Sequence, residues 1–326
     1  MMQCLLSQLA GTACLAAFAT IASHAAAQDF PNRPVRMIIP YGPGGITDVT
    51  ARIIAPPMAE DLGQQVVVEN RAGGATLPAF DLVAKSRPDG YTIVAATAAL
   101  AAQPILFRRL PYQADKDFSP VSLVIIVPNI LVIHPSLPAR SVKELIALAK
   151  SRSGTLNYGS AGNGSDNHLT AEVFKHAAKI DALHVPYKGG GAVMVDLVAG
   201  HIAFVFSTLP TAHGYVASGR LRALAVTGLK RNAAFPDVPA MAETLPGFNV
   251  NAWLGLFGPA GMPAAITDRL HAATAKALQR PDVTKRLTTM GADVAGSTPA
   301  QMGAHLKNEM DRWARLAREV KFELAD

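Results

Sequence analysis

Residues 35–55 read VRMIIPYGPGGITDVTARIIA. An apolar run, VRMII, leads into YGPGGITD at 41–48, and apolar residues then recur at helical spacing. Gly42, Pro43, Gly44 and Gly45 thus sit between a strand and a helix. Such residues make tight turns and carry little side chain to block approach, so the backbone here comes close to something.

The same unit recurs down the chain. QVVVEN (65–70) precedes a helical pattern near ATLPAFDLVAKS, and YTIVAAT (91–97) precedes AALAAQPIL. ILVIH (130–134) precedes SVKELIALAKS, LNYGS (156–160) precedes NHLTAEVFKHAA, and LHVPY (183–187) precedes GAVMVDLVAG. IAFVF, LRALAVT and NAWLGLFG complete the strand-like runs. This alternation predicts an α/β fold of parallel units, with helices on both faces of open sheets. Ser141-x-x-Glu144 and Thr298-x-x-Gln301 are capping boxes that open helices. In the last helix Met302, Leu306, Met310, Trp313 and Leu316 form a buried stripe, which makes Trp313 a core residue. Pro56-Pro57 is expected to shorten the first helix.

The first 27 residues lack Lys, Arg, Asp and Glu, are apolar from Gly11 to Ala22, and end in Ala25-Ala26-Ala27. That pattern predicts a signal peptide, 1–27, cut after Ala27, because the apolar run falls short of the ~20 residues that span a bilayer. Cys4 and Cys14 both lie within it. Gly11 stands where a lipoprotein acylation site at Cys14 would usually have Leu, and the mature chain is expected to have no disulfide or thiolate metal site. The roughly 300 remaining residues suit two domains. An apolar run meeting Pro128-Asn129, and LPGFNVN at 245–251, mark the crossings. The expected division is 28–125 with 249–326 as one discontinuous domain and 126–248 as the other.

Thirty basic and 24 acidic residues give +6, scattered without a basic stripe, so nucleic acid is not an expected partner while a small anion is. The nine histidines form no metal-ligand pattern. Lys188-Gly189-Gly190-Gly191 lacks the rest of a phosphate loop, and Gly159–Ser165 contains no nucleophile elbow. No catalytic residue, metal or cofactor is expected. The turns YGPGGITD and YGSAGNGSDN both join a strand to a helix, where unsatisfied N–H groups and roughly half a positive charge suit a carboxylate. Alternatively, Thr47 or Asp48, and Ser165 or Asp166, cap their own helices.

YGPGGITDVTAR, LGQQVVVENRAGG, RPDGYTI, YGSAGNGSDNHLTAE, HVPYKGGGAVMVDLVAGHI, LRALAVTG, FPDVPAMAE and WLGLFGPAGMP, in that order from Pro34 onward, resemble the Bug family. These are periplasmic substrate-binding receptors associated with tripartite tricarboxylate transporters. The resemblance implies a two-lobed, class II periplasmic binding protein fold with a carboxylate held in the interdomain cleft by backbone amides, hydroxyls and water. It implies a monomer that delivers a small organic acid to membrane permease subunits. Carried onto this chain, the ligand contacts would be Tyr41, Gly44, Gly45, Ile46, Thr47, Asp48 and Thr97 from the first lobe. The second would supply Ser160, Ala161, Gly164, Ser165, His168 and Ser207, with Tyr187 and Lys188 near the rim. Ser207 stands where many relatives carry Asp, which argues for a ligand without an amino group. An exported α/β hydrolase would need an activated nucleophile, and a ligand-binding partner of a sensor kinase would differ in its membrane partner.

Overall fold

The computed structural model describes residues 30–319, so the expected signal peptide and both cysteines lie outside the described residues. Strand β1 (Val35–Ile39) leads through the glycine turn into helix α1 (Ile46–Leu62). Then come β2 (Val66–Asn70), α2 (Leu77–Ala84), β3 (Thr92–Ala96) and the short α3 (Ala98–Ala102). A 16-residue strand, β4 (Phe118–Ile133), follows. Beyond it lie α4 (Val142–Ser151), β5 (Asn157–Ser160), α5 (Asp166–Ala178), β6 (Leu183–Pro186), α6 (Gly190–Val198), β7 (Phe204–Thr208), α7 (Leu209–Ala217) and β8 (Arg222–Val226). The chain closes with β9 (Asn251–Pro259), α8 (Ala264–Gln279), α9 (Pro281–Thr289), β10 (Asp293–Val294) and α10 (Pro299–Glu319).

The strand order is β2-β1-β3-β9-β4-β7-β5-β6, with β8 and β10 also pairing with β4. The outer pairs β1/β2, β1/β3, β5/β6 and β5/β7 are parallel, as the alternation predicts. The centre is not: β9 runs antiparallel to β3 and β4, and β4 antiparallel to β7 and β8. The reason is β4, which pairs with β9 from Phe118 to Pro128 and with β7 from Asn129 to Ile133, so one strand serves two lobes.

Each lobe packs helices on its half of the sheet. In the first, Ile54 and Met58 of α1 meet Leu270 and Leu278 of α8 over Met37, Ile39 and Leu256. In the second, Val193 and Leu197 of α6 and Leu209 of α7 cover Val132 and Val205. A third core runs between the lobes from Phe80 and Trp253 to Phe174, Phe204 and Phe206.

Helix α1 runs its full 17 residues despite Pro56 and Pro57, so the expectation of a short first helix is wrong. Two proline N–H groups are missing, but the flanking Ile53, Ile54, Met58 and Leu62 are buried and hold the helix to the sheet. Helix α4 is capped by Ser141, whose Oγ accepts from Glu144 N, while Glu144 reaches back to the N–H of Arg140, one residue earlier than the box predicts. The Thr298/Gln301 box forms reciprocally.

Trp313 is 1 % exposed and fills the core beneath α10, and its indole N–H has no acceptor. Trp313→Ala should therefore cost about 3–5 kcal/mol in urea unfolding. Trp313→Phe should cost much less, because it removes an unsatisfied buried donor along with some volume. Equal costs for the two variants would contradict this assignment.

Candidate functional site

The turn after β1 is built around Asp48. Its Oδ2 accepts from the N–H of Gly44 at 3.0 Å, and its Oδ1 accepts from Arg52 Nε and Asn70 Nδ2, each at 3.0 Å. Asn70 also donates to the Tyr41 carbonyl. Gly44 takes a φ of +87°, a conformation that glycine adopts at little cost. Gly45 is the N-cap of α1, and no side chain caps the helix. Thr47 is thus not a cap, and it lines the cavity described below. Asp48 braces the turn, with both carboxylate oxygens accepting from neighbours in its own lobe.

The hydroxyl of Tyr41 meets Thr97 Oγ1 at 2.9 Å, and burial pushes the Tyr41 phenol well above its usual range. Thr97 accepts from Ala99 N and so caps α3. These two side chains lock the first turn to the end of β3.

The second turn, after β5, has a different brace. Ser165 caps α5 by accepting from His168 N at 3.5 Å and donates to the Gly162 carbonyl at 2.6 Å. Ser160 Oγ accepts from Gly162 N and pairs with His184 Nε2 at 2.6 Å, while Gly164 N donates to His168 Nδ1 at 3.2 Å. The His168 and His184 rings stack 4.2 Å apart, and Tyr158 stacks on His184 at 4.9 Å. Burial lowers His168 to about 4 and His184 to about 3, and each is lowered further by nearby positive charge. Both rings are therefore neutral supports beneath the turn.

Between the lobes lies a cavity. Four helix N-termini reach it: α1 at Gly45, Ile46 and Thr47, α5 at Ser165, Asp166 and Asn167, α6 at Gly190, and α7 at Thr208 and Thr211. Tyr41, Gly42, Ala161 and Ser207 complete the lining, which includes no Lys, Arg or His. Thr208 and Thr211 join their hydroxyls at 2.9 Å. A second recess shares Tyr41, Ala161 and Ser165 with the first. Tyr187, Lys188, Asn163 and residues 72–76 line it.

Of the residues expected at the site, Tyr41, Gly45, Ile46, Thr47, Ala161, Ser165 and Ser207 line the cavity, and Tyr187 and Lys188 line the adjoining recess. Gly44, Asp48, Thr97, Ser160, Gly164 and His168 are not among the lining residues and act as the braces just described. Gly42, Asp166, Asn167, Gly190 and Thr211 were not expected there. The signal for the last two was a repeat of the first motif, since GlyGly before α6 and Ser-Thr before α7 also open helices from strand ends. Among the described residues no group of three or more His, Cys, Asp or Glu could hold a metal, and no helix is long and apolar enough to cross a membrane.

Because the folded-state values of His168 and His184 lie below the ordinary value of 6.5, the unfolded chain binds more protons as the pH falls. Their contribution to stability is complete above about 6.5 and is lost towards 4 and 3. The melting temperature should fall between pH 7 and 4, and the double variant His168→Gln/His184→Gln should show a shallower fall. An unchanged slope would exclude the pair as its source.

Known proteins resemble the chain along nearly its whole length. The profile described as the tripartite tricarboxylate transporter family receptor matches residues 50–322. Protein BugT of Bordetella pertussis is 38% identical over 311 residues, covering 94% of this chain and 95% of its own. The structure of R. palustris Rpa4515 with adipate superposes with a TM-score of 0.87 at 34% identity, covering 91% of this chain and 100% of its own. MatC (Rpa3494) from Rhodopseudomonas palustris with bound malate gives 0.84 at 34% identity, covering 88% and 99%. The two lobes, the strand shared between them and the cleft lined by helix N-termini are accordingly those of a periplasmic binding protein, and the chain belongs to the tripartite tricarboxylate transporter receptor family.

Proposed function

We propose that this protein is an exported receptor that holds a small organic acid by its carboxylate in the interlobe cavity and hands it to the permease subunits of a tripartite transporter. The observation that carries this reading is the convergence of four helix N-termini, from both lobes, on a cavity lined by hydroxyls and backbone without a cation. Such termini present unsatisfied N–H donors and partial positive charge, which suit an oxyanion. A ligand touching both lobes also favours the closed arrangement over an open one. The lobes are read as 28–125 with 249–326 and as 126–248, and the receptor acts as a monomer in the periplasm after loss of residues 1–27.

Ligand holding without turnover is supported by the chemistry of the Ser160/His184 pair, the Ser/His contact beneath the second turn. Ser160 is fully buried, its hydroxyl is shared with Gly162 and His184, and neither Ser160 nor His184 lines the cavity. The ligand class follows from Ser207, which offers a hydroxyl where an ammonium would need a carboxylate. Asp48 is poorly placed to serve instead, because Gly44, Arg52 and Asn70 engage both its oxygens and it is not among the lining residues. Ser207 thus argues for a non-amino acid, in keeping with the adipate and malate of the two related structures, and Asp166 is the lining carboxylate that an amino ligand would have to use instead.

A thermal-shift panel of succinate, malate, adipate, citrate, a benzoate, aspartate and glutamate tests this. An acid at a hundred times its Kd should add about 2.7 kcal/mol of stability. Silence across the panel from well-folded protein defeats the receptor reading, and tightest binding of aspartate or glutamate defeats the ligand class alone. Thr47→Val should weaken binding of a hit by about 1.5–3 kcal/mol through loss of one hydroxyl donor to a charged group. Its stability should hold, since Gly45 rather than Thr47 caps α1.

A further inference from the structure

Asp166 is the first residue of α5 and lines the cavity between the lobes. The backbone N–H of Ala98, at the start of α3 in the other lobe, and the backbone N–H of Asp166 both act on its carboxyl. Its Oδ1 is buried and has no hydrogen-bond partner. An ionised carboxylate with one oxygen in this state is expensive, because neither water nor a donor meets it.

The surroundings do not relieve that cost. From α10 comes Glu309, a second acid, which is itself engaged by Arg312 and by the Trp253 indole. From the turn before α1 comes the Tyr41 phenol, held neutral by burial. On the same helix His168 is kept neutral, and Lys175 is paired with Glu172. The cavity lining adds no Lys, Arg or His. Into this space, on the reading above, comes the carboxylate of a ligand. Closure thus confines Asp166 beside Glu309 and the ligand's carboxylate, with Arg312 already engaged by Glu309 and only partial charges offered by the cavity lining.

We propose that capture of an acid in this cleft is coupled to uptake of one proton at Asp166, so that the loaded, closed receptor carries Asp166 as a neutral carboxylic acid and the open receptor carries it ionised. The proton comes from solvent, adds to a carboxylate oxygen and leaves again when the lobes part. In the closed arrangement burial raises the Asp166 carboxyl to about 7, with Glu309 adding to the effect. In the open arrangement Ala98 and Glu309 withdraw with the first lobe, and water restores the ordinary carboxylate range. The closed form then binds the proton more tightly than the open form, and capture is favoured as the pH falls through 7. Above that value the preference levels off. The inference rests on the carboxylate reading of the cleft and deepens it: the receptor loads more readily at mildly acidic pH and releases as the pH rises.

Titration calorimetry with adipate and with malate tests it, at pH 6 and 8 and in two buffers of different ionisation enthalpy. Affinity should be roughly tenfold weaker at pH 8 than at pH 6, with about one proton taken up per acid bound at pH 6. Asp166→Asn, which has the shape of the neutral acid, should bind with little pH dependence and without that uptake. Equal affinity at the two pH values with no proton uptake overturns the coupling and leaves the receptor reading intact. Retention of the full pH dependence in Asp166→Asn overturns it equally. If neither acid binds at either pH, the carboxylate reading falls and takes the coupling with it.

Discussion

One continuous strand belonging to both lobes is the constraint on which the architecture depends. β4 leaves β9 at Pro128 and joins β7 at Asn129. Asn129 is fully buried at this exchange, its N–H donating to Thr227 Oγ1, its carbonyl accepting from Thr227 N and its Nδ2 donating to Thr170 of α5. The point where the sheet changes partners is thereby tied to α5, whose N-terminus reaches the cavity. Any rotation of one lobe on the other must act at this strand and at the return segment before β9, and it carries α5, α6 and α7 away from α1 together.

The cleft gathers positive potential without a basic side chain. Each of the four helices ends there in N–H groups that the helix itself cannot satisfy, and hydroxyls of Thr47, Ser207, Thr208 and Thr211 stand beside them. A lysine or arginine would bring a full charge that must be desolvated when the lobes close. Backbone donors are held in place by the fold, need little reordering, and gain strength as water leaves. Their directionality also leaves selection to the shape of the acid and to the few polar side chains around it.

Much of this is legible in the sequence, and the limits have physical causes. The two glycine turns read correctly because strand period, glycine conformation and helix period are local properties. The capping box at Thr298 and the Trp313 stripe read correctly for the same reason. The antiparallel centre of the sheet did not, because pairing across more than a hundred residues leaves no local trace: Phe118 meets Pro259. Helix α1 persisted through two prolines because tertiary burial outweighed a local rule. Within the site, sequence placed the turns in the cleft but could not separate residues that face it from those that brace it. Asp48 and Thr97 turn inward to hold the backbone, and only the geometry of Asn70 and Tyr41 reveals this.

The two aspartates at the helix starts show how far identical chemistry can diverge. Asp48 and Asp166 both fall within the first turn of a helix that opens on the cavity. Around Asp48, a backbone N–H, a guanidinium and an amide supply donors from the same lobe, so the carboxylate is satisfied whether the cleft is open or shut. Around Asp166, Oδ1 has no donor, and the charge from the other lobe that acts on it is another acid, Glu309. The state of Asp48 is therefore independent of lobe position, which suits a brace. That of Asp166 depends on it, because closing the lobes removes water from one carboxyl oxygen and offers nothing in return. A group whose solvation changes with the motion is one through which pH can act on that motion.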